Sequence, residues 1–159
     1  MIYLPDTNAF SRYLRGEDLG LKAKLEANLI HCRLSAVVLS ELEYGAAKRP
    51  EVTAYAARVK RLRELIPGEV DYTCADAAFY GFIRARLANL KPNAQPIGPY
   101  DLMLAAQALR LGAAIVTHNT SEFQRVHGIT IEDWQTRSWP VRFLNPCHES
   151  ATPTPSAPG

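Results

Sequence analysis

The chain has few cysteines, almost no net charge and no long apolar run, and each of these absences excludes a class of protein. Its cysteines, Cys32, Cys74 and Cys147, lie far apart and form no CxxC pair. Such a sparse, odd-numbered set argues against a disulfide framework and a zinc ribbon. No run reaches the roughly 20 apolar residues of a membrane span, and the first residues, MIYLPDTN, do not resemble a signal peptide. We therefore expect a cytoplasmic protein that does not enter a membrane.

The overall charge and composition indicate an ordinary globular domain. The formal net charge is +2, so any surface that attracts nucleic acid must be local. With 159 residues, 47% of them hydrophobic, the chain is long enough for one domain with a real core. Residues 141–159 are rich in Pro, Ser and Thr, which predicts a disordered tail behind a domain of residues 1–140.

Short apolar runs alternate with segments of helical periodicity along the chain. The runs are apolar throughout, which is typical of parallel strands covered on both faces. This order predicts an α/β sandwich with a mainly parallel sheet of about five strands. We expect strands at residues 2–4, 29–34, 70–73, 113–117 and 129–132, and helices at residues 9–15, 19–28, 36–48, 51–66, 74–90 and 100–111.

Three acidic residues occupy positions where separate segments can meet. Asp6 follows the first predicted strand, Glu41 lies within the third predicted helix, and Asp101 opens a strongly apolar helix. Each also has an ordinary explanation, because Asp is common at helix starts and a mid-helix Glu is often exposed. In open parallel sheets, however, ligands bind beyond the carboxyl ends of the strands. Carboxylates gathered there repel one another unless a cation lies among them, so the pattern predicts a metal site.

Asn119 and Glu122, in the segment THNTSEF, are candidates for a fourth position in this site. The amide oxygen of Asn119 can hold a water or a metal ion, and Glu122 would add a carboxylate, although both are also ordinary turn residues. A set of oxygen ligands suits Mg²⁺ or Mn²⁺. Zinc is less favoured, because the four histidines lack the spacing of zinc ligands.

The motifs that contain these residues resemble those of PIN-domain ribonucleases, specifically the VapC-type toxins of bacterial toxin–antitoxin pairs. The resemblance runs from Met1 to about Trp134 and is carried by IYLPDTN, LSELEYGA, PIGPYDLMLAAQAL, VTHNTSEFQRVHGI and IEDW. It implies a Rossmann-like, three-layer α/β/α fold whose acidic pocket is formed by Asp6, Glu41 and Asp101. Further departures from the family pattern, besides Asn119 at a position that is often Asp, are Pro5, His118 and His127.

The resemblance also implies a mechanism and partners. Asp6, Asp101 and Glu41 would hold Mg²⁺, and Asn119 and Glu122 would position a second ion or the attacking water. Water, rather than the 2′-hydroxyl, would then cut RNA endonucleolytically and leave 5′-phosphate and 3′-hydroxyl ends. The family pairs with a VapB-type antitoxin that blocks the pocket, and homodimers are common in it. Apolar positions of residues 19–28 and 51–66 would form the antitoxin groove or belong to the core.

Several alternatives stay open at this point. A catalytically weak PIN-like scaffold that binds RNA or protein would explain the missing fourth acid. A haloacid-dehalogenase-type phosphatase needs a second Asp where Asn8 stands, and a receiver domain needs a late strand-end Lys that is absent here.

The sequence does not select one RNA substrate, because transfer, ribosomal and messenger RNA are all compatible. Tyr100 could stack on a base or pack in the core. Basic residues that could bind phosphates or simply be solvated are Arg12, Arg15, Arg84, Arg86 and Lys91.

Overall fold

The computed structural model describes residues 1–48, 52–90 and 97–135. In that part of the chain, no helix is both long and apolar enough to cross a bilayer. Lys91 and the predicted tail lie outside the described residues. The elements in chain order are β1 (Tyr3–Pro5), α1 (Thr7–Arg15), α2 (Leu19–Ala27), β2 (Leu34–Ser35), α3 (Ala36–Ala47), α4 (Thr53–Leu65), β3 (Glu69–Val70), α5 (Cys74–Ala88), α6 (Pro99–Leu111), β4 (Ala114–Val116), α7 (Thr120–Phe123) and β5 (Thr130–Glu132).

Every strand pairing in the described chain is parallel, which confirms the predicted α/β fold. One sheet has the order β1-β4-β5 and a second pairs β2 with β3, and a single bridge between Tyr3 and Cys32 joins them. The strand order is therefore β3-β2-β1-β4-β5. The chain moves outward in one direction after β1 and in the other after β4. Their carboxyl ends thus flank a topological switch point, which is where open α/β sheets bind ligands.

Helix ends form where the local sequence predicts them. The Ser35 hydroxyl accepts hydrogen bonds from the backbone N–H groups of Val37 and Val38, and this fixes the start of α3. Helices α1 and α6 end at Gly16 and Gly112, whose φ angles of 71° and 59° favour glycine. Because of these local signals, the sequence predicts correctly where α1, α3 and α6 lie relative to the strands.

The prediction of a strand at residues 29–34 is wrong over most of its length. Residues Leu29–His31 form a 3₁₀ turn, and strand β2 covers only Leu34–Ser35. The Asn28 carbonyl accepts from the N–H groups of His31 and Cys32, which continues the end of α2 as a tight turn. Among the described residues, the pairing of this segment with β1 begins only at the bridge between Tyr3 and Cys32. An apolar sequence alone could not distinguish these outcomes.

Helix α6 is held against its neighbours by the hydrogen bonds of two polar side chains, Gln107 and Arg110. Gln107 is fully buried, accepts from the Ser35 hydroxyl at 2.6 Å and donates to the Val70 carbonyl at 3.1 Å. Arg110 donates to the fully buried Asp76 of α5 at 2.6 Å. Because Ser35 caps α3, its hydrogen bond to Gln107 fixes α6 relative to α3. These are the two helices that carry Asp101 and Glu41.

Candidate active site

Asp6 lies at the carboxyl end of β1, where its N–H donates to the Val116 carbonyl of β4 at 3.0 Å. Its side chain is 3% exposed and accepts from the Ala9 N–H at 2.6 Å, so Asp6 does cap α1. A carboxylate has about four acceptor sites, and this bond leaves capacity for a ligand. Burial raises the pKa of Asp6; hydrogen bonds from Thr117, Ala9 and Asn8 lower it, and the charge of Glu41 raises it.

Glu41 points toward the same switch point from α3. It is half-buried, and its carboxylate accepts a hydrogen bond from the hydroxyl of Thr7. Thr7 directly follows Asp6, so this bond joins the start of α1 to the middle of α3. The nearby Glu43 is exposed, as the sequence predicts for an ordinary helix former. Glu41 is therefore not the exposed mid-helix acid that its spacing alone would favour.

Asp101 lies in the first turn of α6 and is half-buried. Its pKa is raised from 3.8 to about 6 by burial and then by the charges of Asp6, Glu122 and Glu41. The charges of three carboxylates, from segments that are distant in the sequence, thus oppose ionisation of Asp101. A Cβ atom at Gly98 would lie 3.6 Å from the Asp101 Oδ2 atom, an ordinary contact distance, so the segment before α6 runs directly beside this carboxylate.

Two residues at the start of α7, Asn119 and Glu122, are the candidates for the fourth position of the site, which we call the fourth corner. Asn119 is the N-cap residue, but its side chain makes no capping hydrogen bond, whereas its N–H donates to the Thr117 hydroxyl at 2.9 Å. Glu122 is half-buried in the first turn, and its charge acts on Asp101. Of the two, Glu122 carries a charge that acts on Asp101, and Asn119 is uncharged.

The chemistry of this pocket fits a hard divalent cation. Its side chains present oxygen atoms, and the mutual repulsion that raises the pKa of Asp101 would be relieved by a positive ion. In the described ranges, no three His, Cys, Asp or Glu side chains already stand where they would hold a metal ion. Glu41 and Asp6 are instead bonded to protein donors, Thr7 and Ala9 among them. Binding an ion would therefore require these carboxylates to move closer together.

Two residues at the site were not singled out in the sequence. Thr7 holds Glu41, and the buried Thr117 bonds to Asp6 and to the Asn119 N–H. Both lie within two residues of a candidate acid or amide in the motifs DTN and VTHNT, and this closeness in sequence was the available signal.

Two other residues named from the sequence lie at the surface. The Nδ1 atom of His118 is 3.0 Å from the Oδ2 atom of Asp133. Tyr100 is 51% exposed, so it is not the core residue that was one of its alternatives.

Comparison with known proteins identifies relatives across most of the chain. The PIN domain family profile matches residues 3–129. The protein named tRNA(fMet)-specific endonuclease VapC from Shigella flexneri is 34% identical over 139 residues, covering 83% of this chain and 97% of the relative. Ribonuclease VapC1 from Haemophilus influenzae strain R2866 is 32% identical over 141 residues, covering 84% of this chain and 98% of the relative.

Solved structures show the same relationship in three dimensions. The chain is similar to one in the crystal structure of DNA-bound VapBC from Salmonella typhimurium, with a TM-score of 0.76 and 33% identity, covering 84% of this chain and 98% of that one. A chain of VapBC2 from Rickettsia felis, bound to a DNA fragment of its promoter, also gives a TM-score of 0.76, at 26% identity, and covers 85% of this chain and 100% of that one.

Proposed function

Because the chain belongs to the PIN-domain family and is a VapC-type ribonuclease toxin, we propose that it is a Mg²⁺-dependent endoribonuclease with its active site at the switch point. The observation that supports this site is the raised pKa of Asp101, about 6, caused by burial and by three carboxylates from other segments. A cluster that is unfavourable without a cation is what a metal-dependent nuclease requires.

In this proposal, Asp6, Asp101 and Glu41 hold the metal ion, for which Mn²⁺ could substitute. When bound, the ion would lower the pKa of a water molecule and offset negative charge on the scissile phosphate. Thr7 orients Glu41, and the Thr117 hydroxyl and Ala9 N–H orient Asp6. We assign Glu122, with Asn119, to position the attacking water or a second ion.

Substitution of a ligand separates this proposal from a structural role of the acids. We expect Asp6→Asn and Asp101→Asn to lower RNA cleavage in Mg²⁺ by at least 100-fold, on the order of a positioned catalytic group. Asp71→Asn, at an exposed carboxylate in the loop after β3, is the matched control and should cleave normally. Products should carry 5′-phosphate ends, and EDTA should stop the reaction. Wild-type rates in both site variants would contradict the proposal.

The alternative is a catalytically weak scaffold that binds RNA or protein through the same surface. Asn119, an uncharged residue at the fourth corner, is the observation that favours it. The cleavage assay decides between the two, because a scaffold would bind RNA equally well in EDTA and would not generate new ends. Asn119→Asp should increase metal-dependent cleavage if the fourth corner limits an enzyme, and should have no effect on a scaffold.

We also propose a VapB-type antitoxin as the partner and the groove between α1, α2 and α4 as one of its contacts. The apolar residues of these helices divide between core and groove: Leu21, Leu25 and Val59 are buried in the core. Leu62 is buried yet lines the groove, which has a volume of about 360 Å³. Its lining residues are Tyr13, Leu14, Arg15, Gly16, Lys22, Glu26, Arg58, Arg61, Leu62 and Leu65. Leu65→Arg should weaken antitoxin binding without changing cleavage.

The substrate class, the location and the oligomeric state complete the proposal. A relative named for tRNA(fMet) makes transfer RNA the first substrate to test, by mapping new 5′ ends in cellular RNA after induction. Cleavage of cellular RNA requires a cytoplasmic location.

Exposed aromatic residues on α5, Phe79 and Phe82, offer a surface for the predicted homodimer, and sedimentation of Phe82→Ser would test it. Among the basic candidates, Arg15 is already paired with Glu17, whereas Arg84 and Arg86 are exposed.

A further inference from the structure

Helix α3 carries the aromatic residue Tyr44, and its C-terminal cap is the cation Lys48, in line with Glu41. Residues 41, 44 and 48 are spaced by three and four, so they share one face of the helix. Tyr44 is 66% exposed, and its ring lies 5.9 Å from the Nζ atom of Lys48. The core-facing side of the helix is formed by other residues, Val38 and Leu42 among them. The packing of the domain therefore gives no reason for an aromatic ring at position 44.

The spacing along α3 matches the form of a nucleic-acid strand. With a rise of about 1.5 Å per residue, Tyr44 lies about 4.5 Å along the axis from Glu41, and Lys48 about 10.5 Å. An acid, an exposed ring and a cation thus follow one another on a path that starts at the proposed metal site.

We propose that Tyr44 and Lys48 form a binding site for single-stranded RNA next to the cleaved bond, with a base stacked on Tyr44 and a phosphate on Lys48. This inference rests on the proposed nuclease function and concerns the strand that leaves the pocket along α3. Aromatic rings bind unpaired bases of any sequence, and a duplex would not offer its bases to Tyr44. The site therefore favours unpaired loops and ends of RNA over helical regions.

RNA fits this surface better than the antitoxin for two reasons. Lys48 supplies positive charge beside the ring, which is the combination that single-strand binding surfaces use. A substrate strand must also pass beside Glu41 to be cut, whereas a helical partner has a groove of its own between α1, α2 and α4. Binding of the antitoxin through Tyr44 remains an outcome that the experiment must distinguish.

The test measures binding without turnover. A fluorescein-labelled oligoadenylate and a matched RNA duplex are titrated with Asp6→Asn protein in EDTA, and fluorescence anisotropy is followed. Adding Tyr44→Ala should weaken binding of the single strand by about 5- to 150-fold, the range for one stacked base. Tyr44→Phe should bind like the parent, and duplex binding should not change. Lys48→Gln should lower the salt dependence, the slope of log K against log salt, by about 0.7.

Matched controls remove one apolar and one charged side chain elsewhere on the surface. Ile30→Ala removes an apolar side chain that is 69% exposed, and Lys60→Gln removes an exposed cation on α4. Neither should change binding of the single strand. The inference is overturned if these controls weaken binding equally, if Tyr44→Phe behaves like Tyr44→Ala, or if Tyr44→Ala weakens only antitoxin binding. Because no cleavage is measured, each of these results leaves the nuclease proposal standing, and a failed cleavage assay leaves the binding result interpretable.

Discussion

The substitution Asp101→Asn should stabilise the metal-free protein while removing its response to Mg²⁺. Asn has nearly the same shape as Asp but carries no charge, so it removes the repulsion from Asp6, Glu122 and Glu41 without opening a cavity. An acid that is retained despite an unfavourable environment is common at functional sites, where activity is maintained at the expense of stability. The experiment therefore tests whether the cluster at the switch point is a functional feature.

The sign and size of the effect follow from the pKa of Asp101. Its value rises from 3.8 to about 6, so the folded protein keeps a proton that the unfolded chain loses between these pH values. The free energy of unfolding should therefore fall as pH rises from about 4 to about 6 and stay low above that range. Two pKa units correspond to about 3 kcal/mol, which is an upper limit. Because solvent near a half-buried carboxylate weakens the repulsion, we expect an effect of about 1–3 kcal/mol.

The assay is urea denaturation of wild type and Asp101→Asn in EDTA at several pH values. The variant should be more stable by about 1–3 kcal/mol at pH 8, and the difference should vanish below about pH 4. Mg²⁺ at ten times its dissociation constant should add about 1.4 kcal/mol to wild type and little to the variant. Asp71→Asn should show neither effect. A variant that is less stable than wild type at pH 8, or a difference independent of pH, would refute the reasoning.

Four further substitutions test other parts of the structure. Gln107→Leu removes the acceptor of the buried Ser35 hydroxyl and the donor to the Val70 carbonyl, so it should lower the free energy of unfolding by about 2–4 kcal/mol in urea. A loss below about 0.5 kcal/mol would contradict the contribution of these two hydrogen bonds. Burial opposes ionisation of Asp76, but its bonds to Arg110 and Thr73 prevail and lower its pKa. Asp76→Asn should therefore destabilise by about 2–4 kcal/mol at pH 7 and by less as pH falls below about 4. By calorimetry, Glu122→Gln should weaken Mg²⁺ binding at least fivefold and more than Asn119→Ala, and the reverse order would assign the fourth corner to Asn119.

The sequence predicts the parts of this fold that depend on local chemistry. Gly16 and the Ser35 hydroxyl fix helix ends by themselves, so these positions agree with the structure. The segment at residues 29–34 depended instead on whether β1 offers a partner, which no local pattern records. Asp6 and Asp101 could be placed at the sheet edge because each follows or opens an element. The order of the strands, and with it the switch point, came only from the tertiary pairing.

Glu41 shows why the site could not be completed from sequence. Its position in α3 allows an exposed or a pocket-facing side chain, and the rotation of the helix decides between them. That rotation is fixed at its start by Ser35, which caps α3 and bonds to Gln107 of α6. The contact joins residues 72 positions apart, and spacing rules within a helix do not contain it.

The donors around the acids orient the carboxylates of the cluster without neutralising them. Thr7 and Thr117 are neutral hydroxyl donors, and the remaining bonds to Asp6 come from the backbone N–H groups of Ala9 and Asn8. Neutral donors orient a carboxylate and lower its pKa in part, but they leave its negative charge in place. A lysine or arginine in their position would stabilise the empty pocket and compete with a divalent ion for the same oxygens. A basic side chain delivered by a partner would act in the same way, and this gives the antitoxin a direct means of inhibiting the proposed enzyme.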